Sequence, residues 1–492
     1  MEHLFHKLWE NGESDFYPCH MPGHKRRACG QLPEVLAKLD ITEIDGFDNL
    51  HQPEGILYEL QKKAALLYGA DESFYLVNGS TAGILSAVSC VLPMGGHILM
   101  GRNCHRSAYH AAYLRDLEIS FLYPQVCGEY DIFDGVTAGE VQDALDREPD
   151  VGAVLIVSPT YEGRISDIQA IARAVHDRGI PLIVDEAHGA HLGLAEGLAP
   201  NSCQAGADLV IHSVHKTLPA LTQTALLHVK GSLIHRDYLK RFLHIYQTSS
   251  PSYLLMASID NALSYVEKEG KWAFERFQKR FMLMQERLSA CRRLRILPAD
   301  PQRQDVGKLV ISVKGTYLNK APLNGKDLYD ILREKYHLQP EMAAGSYVLA
   351  MFTVGDSEEG YSRMEQALLE IDSRLWRQSG AEDSDLFLYG LQGTGHGTLS
   401  LKTAWEMETE SVDISESVGR YAGEFVNLYP PGVPVLVPGE LIAEDTCSNL
   451  RRCLERGLTV QGLEIQNGRI KVKVLRNCSD RSQIRGSTPE CV

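Results

Sequence analysis

The feature that most constrains this fold is a strand, helix, strand run in the middle of the chain. "AVLIVSPTY" (Ala153 to Tyr161) reads as a buried strand, and "SDIQAIARAVHDRG" (Ser166 to Gly179) as an amphipathic helix capped by Ser166 and closed by Gly179. "PLIVDEAH" (Pro181 to His188) is the next strand. Two strands joined through such a helix run parallel, so an α/β domain with a mostly parallel sheet is expected. "ADLVIHS" (Ala207 to Ser213) adds a further strand. All three runs end in polar residues, and open α/β sheets bind ligands outside the carboxyl ends of their strands.

A chain of 492 residues exceeds one ordinary core. The pattern divides it into an N-terminal segment (1–55), a large α/β domain (56–290), a smaller α+β domain (291–390) and a C-terminal subdomain (401–492). "KLVISVKG" (Lys308 to Gly315) and "YVLAMFTVGD" (Tyr347 to Asp356) supply strands of the smaller domain, and "GLQGTGHGTLS" (Gly390 to Ser400) reads as a linker. Its glycines lack the spacing and the strand-turn-helix setting of a dinucleotide fingerprint. A net charge of -15 argues against a nucleic-acid backbone or an anionic membrane as the main partner. No apolar run is long enough to span a bilayer, and the N-terminus lacks a basic region followed by an apolar core, so a cytoplasmic protein is expected. The eleven cysteines are scattered, without C-x-x-C or zinc-type spacing; they read as reduced thiols, and no metal is expected.

Several segments carry side chains suited to one site. "VNGSTAGILSAV" (Val77 to Val88) places Gly79, Ser80 and Thr81 where a turn enters a helix, as a phosphate cradle or a plain N-cap. In "VDEAHGAH", Asp185 at a strand end suits a metal, a base or a cationic ring nitrogen, or a structural cap; His188 and His191 lack the further ligands a metal needs. "RNCHRSAYH" (Arg102 to His110) offers His105, either flat against an aromatic ligand or part of the core. "SPTYEGRIS" (Ser158 to Ser166) follows another strand, where a turn is explanation enough. In "DLVIHSVHKTLPALTQTALLHV" (Asp208 to Val229), Lys216 follows an apolar strand. An enclosed lysine loses its proton readily and forms a Schiff base with an aldehyde, whose phosphate Ser213 and His215 could hold. Phosphate cradle, strand-end Asp and strand-end Lys, in that order, are expected of a pyridoxal-phosphate enzyme.

With those residues in hand, the sequence resembles the fold-type I pyridoxal-phosphate enzymes, and specifically the Orn/Lys/Arg decarboxylase family. It is most similar to the short bacterial members without an N-terminal wing domain. The resemblance spans nearly the whole chain through "MPGHKRR", "DGFDNLHQPEG", "VNGSTAG", "RNCHRS", "SPTYEG", "VDEAHGAH", "SVHKTLPALTQ", "TSSPSYLLMASID" and "YPPGVPVLVPGE". It implies decarboxylation of arginine or lysine, ahead of ornithine, to the amine and CO2, with pyridoxal 5'-phosphate on Lys216 and Asp185 against the pyridine nitrogen. His105 would stack on the ring, Ala187 and His188 would lie near its other face, and Ser80, Thr81, Ser213 and His215 would hold the phosphate. The family's sites form between subunits, so a homodimer or higher homo-oligomer is implied, with Thr248 and Ser249 reaching the partner's phosphate. Glu440 would contact the substrate's cationic end or shape the entrance, and His188 or Lys216 would deliver the α-carbon proton.

Two positions depart from the family pattern. Glu162, near the site mouth, stands where relatives carry an aromatic residue and either shifts substrate preference or is a solvated loop residue, the latter favoured; Arg106 replaces the usual lysine. Transamination or aldol-type cleavage on the same fold, or a silent cofactor-binding regulator, are the competing readings. The "YPPGVPVLVPGE" block favours the decarboxylase.

Overall fold

The computed structural model describes residues 3–27, 30–377, 399–428, 432–466 and 468–476. Its centre is a seven-stranded sheet whose spatial order is Glu72–Leu76, Ala225–Val229, Leu209–Ser213, Leu182–Asp185, Ala153–Val157, His97–Gly101 and Glu118–Leu122. Ala153–Val157 pairs parallel to Leu182–Asp185, which pairs parallel to Leu209–Ser213, as the strand-helix-strand run requires. The strands His97–Gly101 and Glu118–Leu122 continue the parallel set. Ala225–Val229 runs against its neighbours on both sides, so the other six strands share one direction.

Sheets covered by helices on both faces need apolar residues at every position, which explains the continuous runs in these strands. Alternate side chains go to opposite cores. Leu155, Ile183, Leu209 and Ile211 pack with Ile84 and Val88 of the helix Gly79–Val91. Val154, Ile156, Leu182, Val184 and Val210 pack with Ile171 and Val175 of the helix Ile168–His176 on the other face. That helix is capped by Asp167, whose side chain accepts the Ala170 N–H at 3.0 Å. Ser166, the cap expected from sequence, instead accepts the Val136 N–H. The helix starts one residue later because the carboxylate reaches its free amides.

Four antiparallel strands, Arg295–Ile296, Lys308–Ser312, Tyr347–Met351 and Met342–Ala343, form the smaller sheet. The helices Gly325–Tyr336 and Glu358–Arg374 accompany it. A helix of 36 residues, Tyr253–Leu288, ties it to the large sheet: Phe274, Phe277 and Phe281 share one core with Leu309, Ile311 and Val348. The apolar interior therefore continues across the boundary near residue 290.

After residue 399 the helix Leu401–Glu406, capped by Ser400, leads into two three-stranded sheets and the helix Glu444–Glu455 around a separate core of Ile414, Val426, Leu450 and Val472. Residues 390–398 of the expected linker, and Tyr429 to Pro431 of the C-terminal block, lie outside the described residues. Among the described residues, no helix is long and apolar enough to cross a membrane.

Candidate active site

The carboxyl ends of the parallel strands open onto one cavity, as strand direction dictates. Ser80, Asn103, His105, Asp185, Ala187, His188 and Lys216 line it from the large sheet. Thr160, Tyr161 and Glu162 close one side, Ala344 and Tyr347 approach from the small sheet, and Leu428, Val433, Arg456 and Leu458 approach from the C-terminal unit. The cavity is thus built by all three parts of the chain.

Lys216 sits in the short helical turn Val214–Thr217, directly after the strand Leu209–Ser213. Its Nζ lies 3.0 Å from His188 Nε2. Burial lowers its pKa, against the opposing pull of Asp185 and Glu341. A neutral amine, the nucleophilic form, is therefore easier to reach than for a solvated lysine. His188 is buried, and burial together with the Lys216 and Lys308 charges pushes its pKa well below the usual range, so its ring is neutral.

Asp185 ends its strand with a buried carboxylate whose pKa is raised by burial, while Lys216 and the Ala187 N–H, 3.2 Å from Oδ1, act in the opposite direction. Among the described residues no side chain donates a hydrogen bond to it. A buried carboxylate without a bonded cation suits a cationic ligand atom. His105 precedes the helix Arg106–Arg115, its Nδ1 accepting the Ser107 N–H at 3.3 Å with the Ser107 hydroxyl at 2.8 Å. It is exposed through the cavity it lines, yet surrounding protein and the nearby Lys216 hold its pKa down to about 4.

The helix Gly79–Val91 begins with Gly79 at φ 72° and has no side-chain cap. The Asn78 side chain accepts the Thr248 N–H instead, leaving the first-turn amides without a capping partner. Ser80 lines the cavity, whereas Thr81 is exposed beside it. Ser213 Oγ is buried and has no hydrogen-bond partner. His215 Nδ1 lies 2.9 Å from the Thr224 carbonyl and donates to it, which leaves Nε2 as the ring's other polar atom. Thr248 and Ser249 are exposed, with the Thr248 carbonyl 2.8 Å from His51 Nε2. An open helix N-terminus and an orphaned serine hydroxyl fit a phosphate, and a depressed lysine beside a buried carboxylate fits a pyridoxal ring. The residues present therefore fit pyridoxal 5'-phosphate.

The structure corrects the reading of Glu162 and places Glu440 outside the cavity lining. Glu162 is no solvated loop residue: it is 5% exposed, Tyr347 donates to its Oε1 at 2.6 Å, and its carbonyl accepts from Gln304. The small sheet docks over this loop and covers it. Glu440 does not line the cavity of Lys216: its Oε2 binds Arg102 at 3.1 Å and the Val437 N–H at 2.9 Å. A residue that sequence reasoning missed is Lys308, 1% exposed, with Nζ 2.8 Å from His188 Nδ1. It heads the strand segment "KLVISVKG", and no local pattern marks it as part of the site. Among the described residues, His97, Glu148 and Asp150 cluster closely enough to hold a metal, but His97 starts its strand, at the edge opposite the cavity.

The fold is that of the fold-type I pyridoxal-phosphate enzymes. Residues 4–303 match the family described as Orn/Lys/Arg decarboxylase, major domain, and residues 399–457 match its C-terminal domain. The chain belongs to the Orn/Lys/Arg decarboxylase family. It is 33% identical over 458 residues to arginine decarboxylase of Bacillus subtilis (strain 168), covering 90% of this chain and 92% of that protein. It is 31% identical over 474 residues to arginine decarboxylase of Bacillus anthracis, covering 94% of each. In fold it is similar to the Francisella novicida lysine decarboxylase LdcF, at TM-score 0.82 and 18% identity over 96% of this chain and 81% of that one.

Proposed function

We propose that the protein removes the carboxylate of a basic amino acid, arginine or lysine ahead of ornithine, with pyridoxal 5'-phosphate attached to Lys216. The observation that carries this reading is the meeting, in one cavity, of the half-buried Lys216 amine, the Asp185 carboxylate and an uncapped helix N-terminus. Bound there, the cofactor supplies an electron sink for the pair left when the bond to CO2 breaks. Asp185 holds a proton on the ring nitrogen by opposite charge. His105 packs on one ring face, and Ala187 and His188 line the other. Ser80, Thr81, Ser213 and His215 bind the phosphate, helped in a homodimer by Thr248 and Ser249 of the neighbouring copy. The Arg102–Glu440 pair secures the C-terminal wall of the cavity rather than the substrate.

The cationic end of the substrate needs a carboxylate. Of those lining the cavity, Asp131 is bound to Lys314 and Ser346, and Asp185 sits beside Lys216, whereas Glu162 is held by Tyr347 in the outer wall. We assign the counter-ion role to Glu162. Similarity to arginine decarboxylases over nearly the full chain supports arginine first. CO2 release from arginine, lysine and ornithine by the cofactor-loaded protein tests the assignment, with sedimentation reporting the dimer and cell fractionation the cytoplasm. Bound cofactor with keto-acid formation but no CO2 would overturn it in favour of transamination.

A further inference from the structure

We propose that Lys308 is a positioning residue for this reaction: its ammonium donates to His188 Nδ1, confines the neutral ring's single proton to Nε2, and so aims that proton at the reacting centre. The inference rests on the decarboxylase reading for its catalytic part and on geometry alone for its structural part. His188 stands between two lysines, with Lys308 Nζ 2.8 Å from Nδ1 and Lys216 Nζ 3.0 Å from Nε2. A lysine amine in its charged form can only donate. If Lys308 donates to Nδ1, that nitrogen bears no proton, and a neutral imidazole then carries its hydrogen on Nε2. Nε2 faces the cavity, beside the amine that the substrate's own amine must replace.

The surroundings of Lys308 keep it in this role. It does not line the cavity, so it touches the reaction only through His188. Its Nζ also contacts Met351 Sδ at 3.4 Å, and Asp305 supports its charge. Burial holds its pKa down to about 8, low enough to give up a proton and high enough to carry one near neutrality. Gly163, at φ 97°, makes room: a Cβ there would lie 2.6 Å from Lys308 Cγ. The Tyr161 ring lies 4.5 Å from the His188 ring, between centroids, and limits its rotation.

The proton balance closes within these groups. The bond from the α-carbon to the carboxylate breaks, CO2 leaves, and the electron pair remaining on the substrate ends as a new C–H bond with the proton from His188 Nε2. As Nε2 loses that proton, Nδ1 takes one from Lys308, so the buried ring never bears a net charge. The cavity-facing Nε2 then takes a proton from water while Nδ1 returns its proton to the Lys308 amine, which restores the starting state. This assigns the final proton to His188 rather than Lys216.

The test has two arms. In cofactor-free protein labelled with 15N-histidine, with the His188 signals identified through His188→Gln, the ring is expected to carry its proton on Nε2, and Lys308→Met should shift it toward Nδ1. A proton on Nδ1 in the unaltered protein would overturn the proposal without any lysine variant. In cofactor-loaded protein, Lys308→Met should lower kcat on the order of 10²-fold with KM and the visible absorbance of bound cofactor unchanged. An unchanged kcat refutes the positioning role. If the unaltered protein releases CO2 from no basic amino acid, the functional reading fails, while the ring-proton measurement still decides what Lys308 does.

Discussion

Tyr347 donates a 2.6 Å hydrogen bond to Glu162, joining the small sheet to the loop that follows the strand Ala153–Val157. The bond fixes a carboxylate in the cavity wall where the sequence favoured a solvated turn over a part in substrate preference. Glu162→Gln keeps the shape and removes the charge. KM for the preferred basic amino acid should rise roughly tenfold or more, in line with the loss of a charge-assisted contact, with a smaller change in kcat. Steady-state kinetics on the two proteins decides it, and an equal KM rules Glu162 out as counter-ion.

Lys216→Ala should remove both turnover and covalent retention of the cofactor, read as loss of the label that borohydride reduction otherwise leaves on the chain. Asp185→Asn should retain bound cofactor and lose about 10²-fold or more in rate, because an amide cannot stabilise a protonated ring nitrogen. Native kinetics in the aspartate variant would show that Asp185 faces something other than that nitrogen.

His105 gives the cofactor-free protein a specific acid sensitivity. Its folded pKa is depressed from 6.5 to about 4, chiefly by burial and then by Lys216. The unfolded chain therefore binds the proton more readily between those values. The associated stability is present above 6.5 and is lost as pH falls through 4. His105→Gln should flatten the fall in Tm between about pH 7 and about pH 4.5; a parallel fall in both proteins would place the sensitivity elsewhere.

Arg102 is 3% exposed and donates to Glu440, to Tyr109 and to the carbonyls of Pro434 and Val435. Removing one partner leaves the other charge buried, at a cost of about 3 kcal/mol. Glu440→Ala should therefore unfold at lower denaturant concentration. A variant of native stability with a raised KM would instead return Glu440 to the substrate.

The strands that end in Asp185 and lead into Lys216 were legible because each opens as a short apolar run and ends in polar residues, a pattern set by burial on both faces. The strand Ala225–Val229, running against its neighbours, was not legible: apolar continuity marks burial but carries no direction. The cap at Asp167 was missed by one residue because Ser166 and Asp167 are both good capping residues, and the choice depends on Val136 binding Ser166.

By itself, the sequence determined the parallel sheet, the strand ends at which chemistry gathers, and the ordered blocks shared with the decarboxylase family. These follow from local periodicity and from short segments whose side chains act on adjacent backbone. Only the tertiary structure decided that Glu162 is buried against Tyr347, that Glu440 is bound to Arg102, and that Lys308 reaches His188. Each of these contacts joins segments far apart in the chain, and solvation of a charged side chain is settled by what docks over it. No pattern within a segment records that.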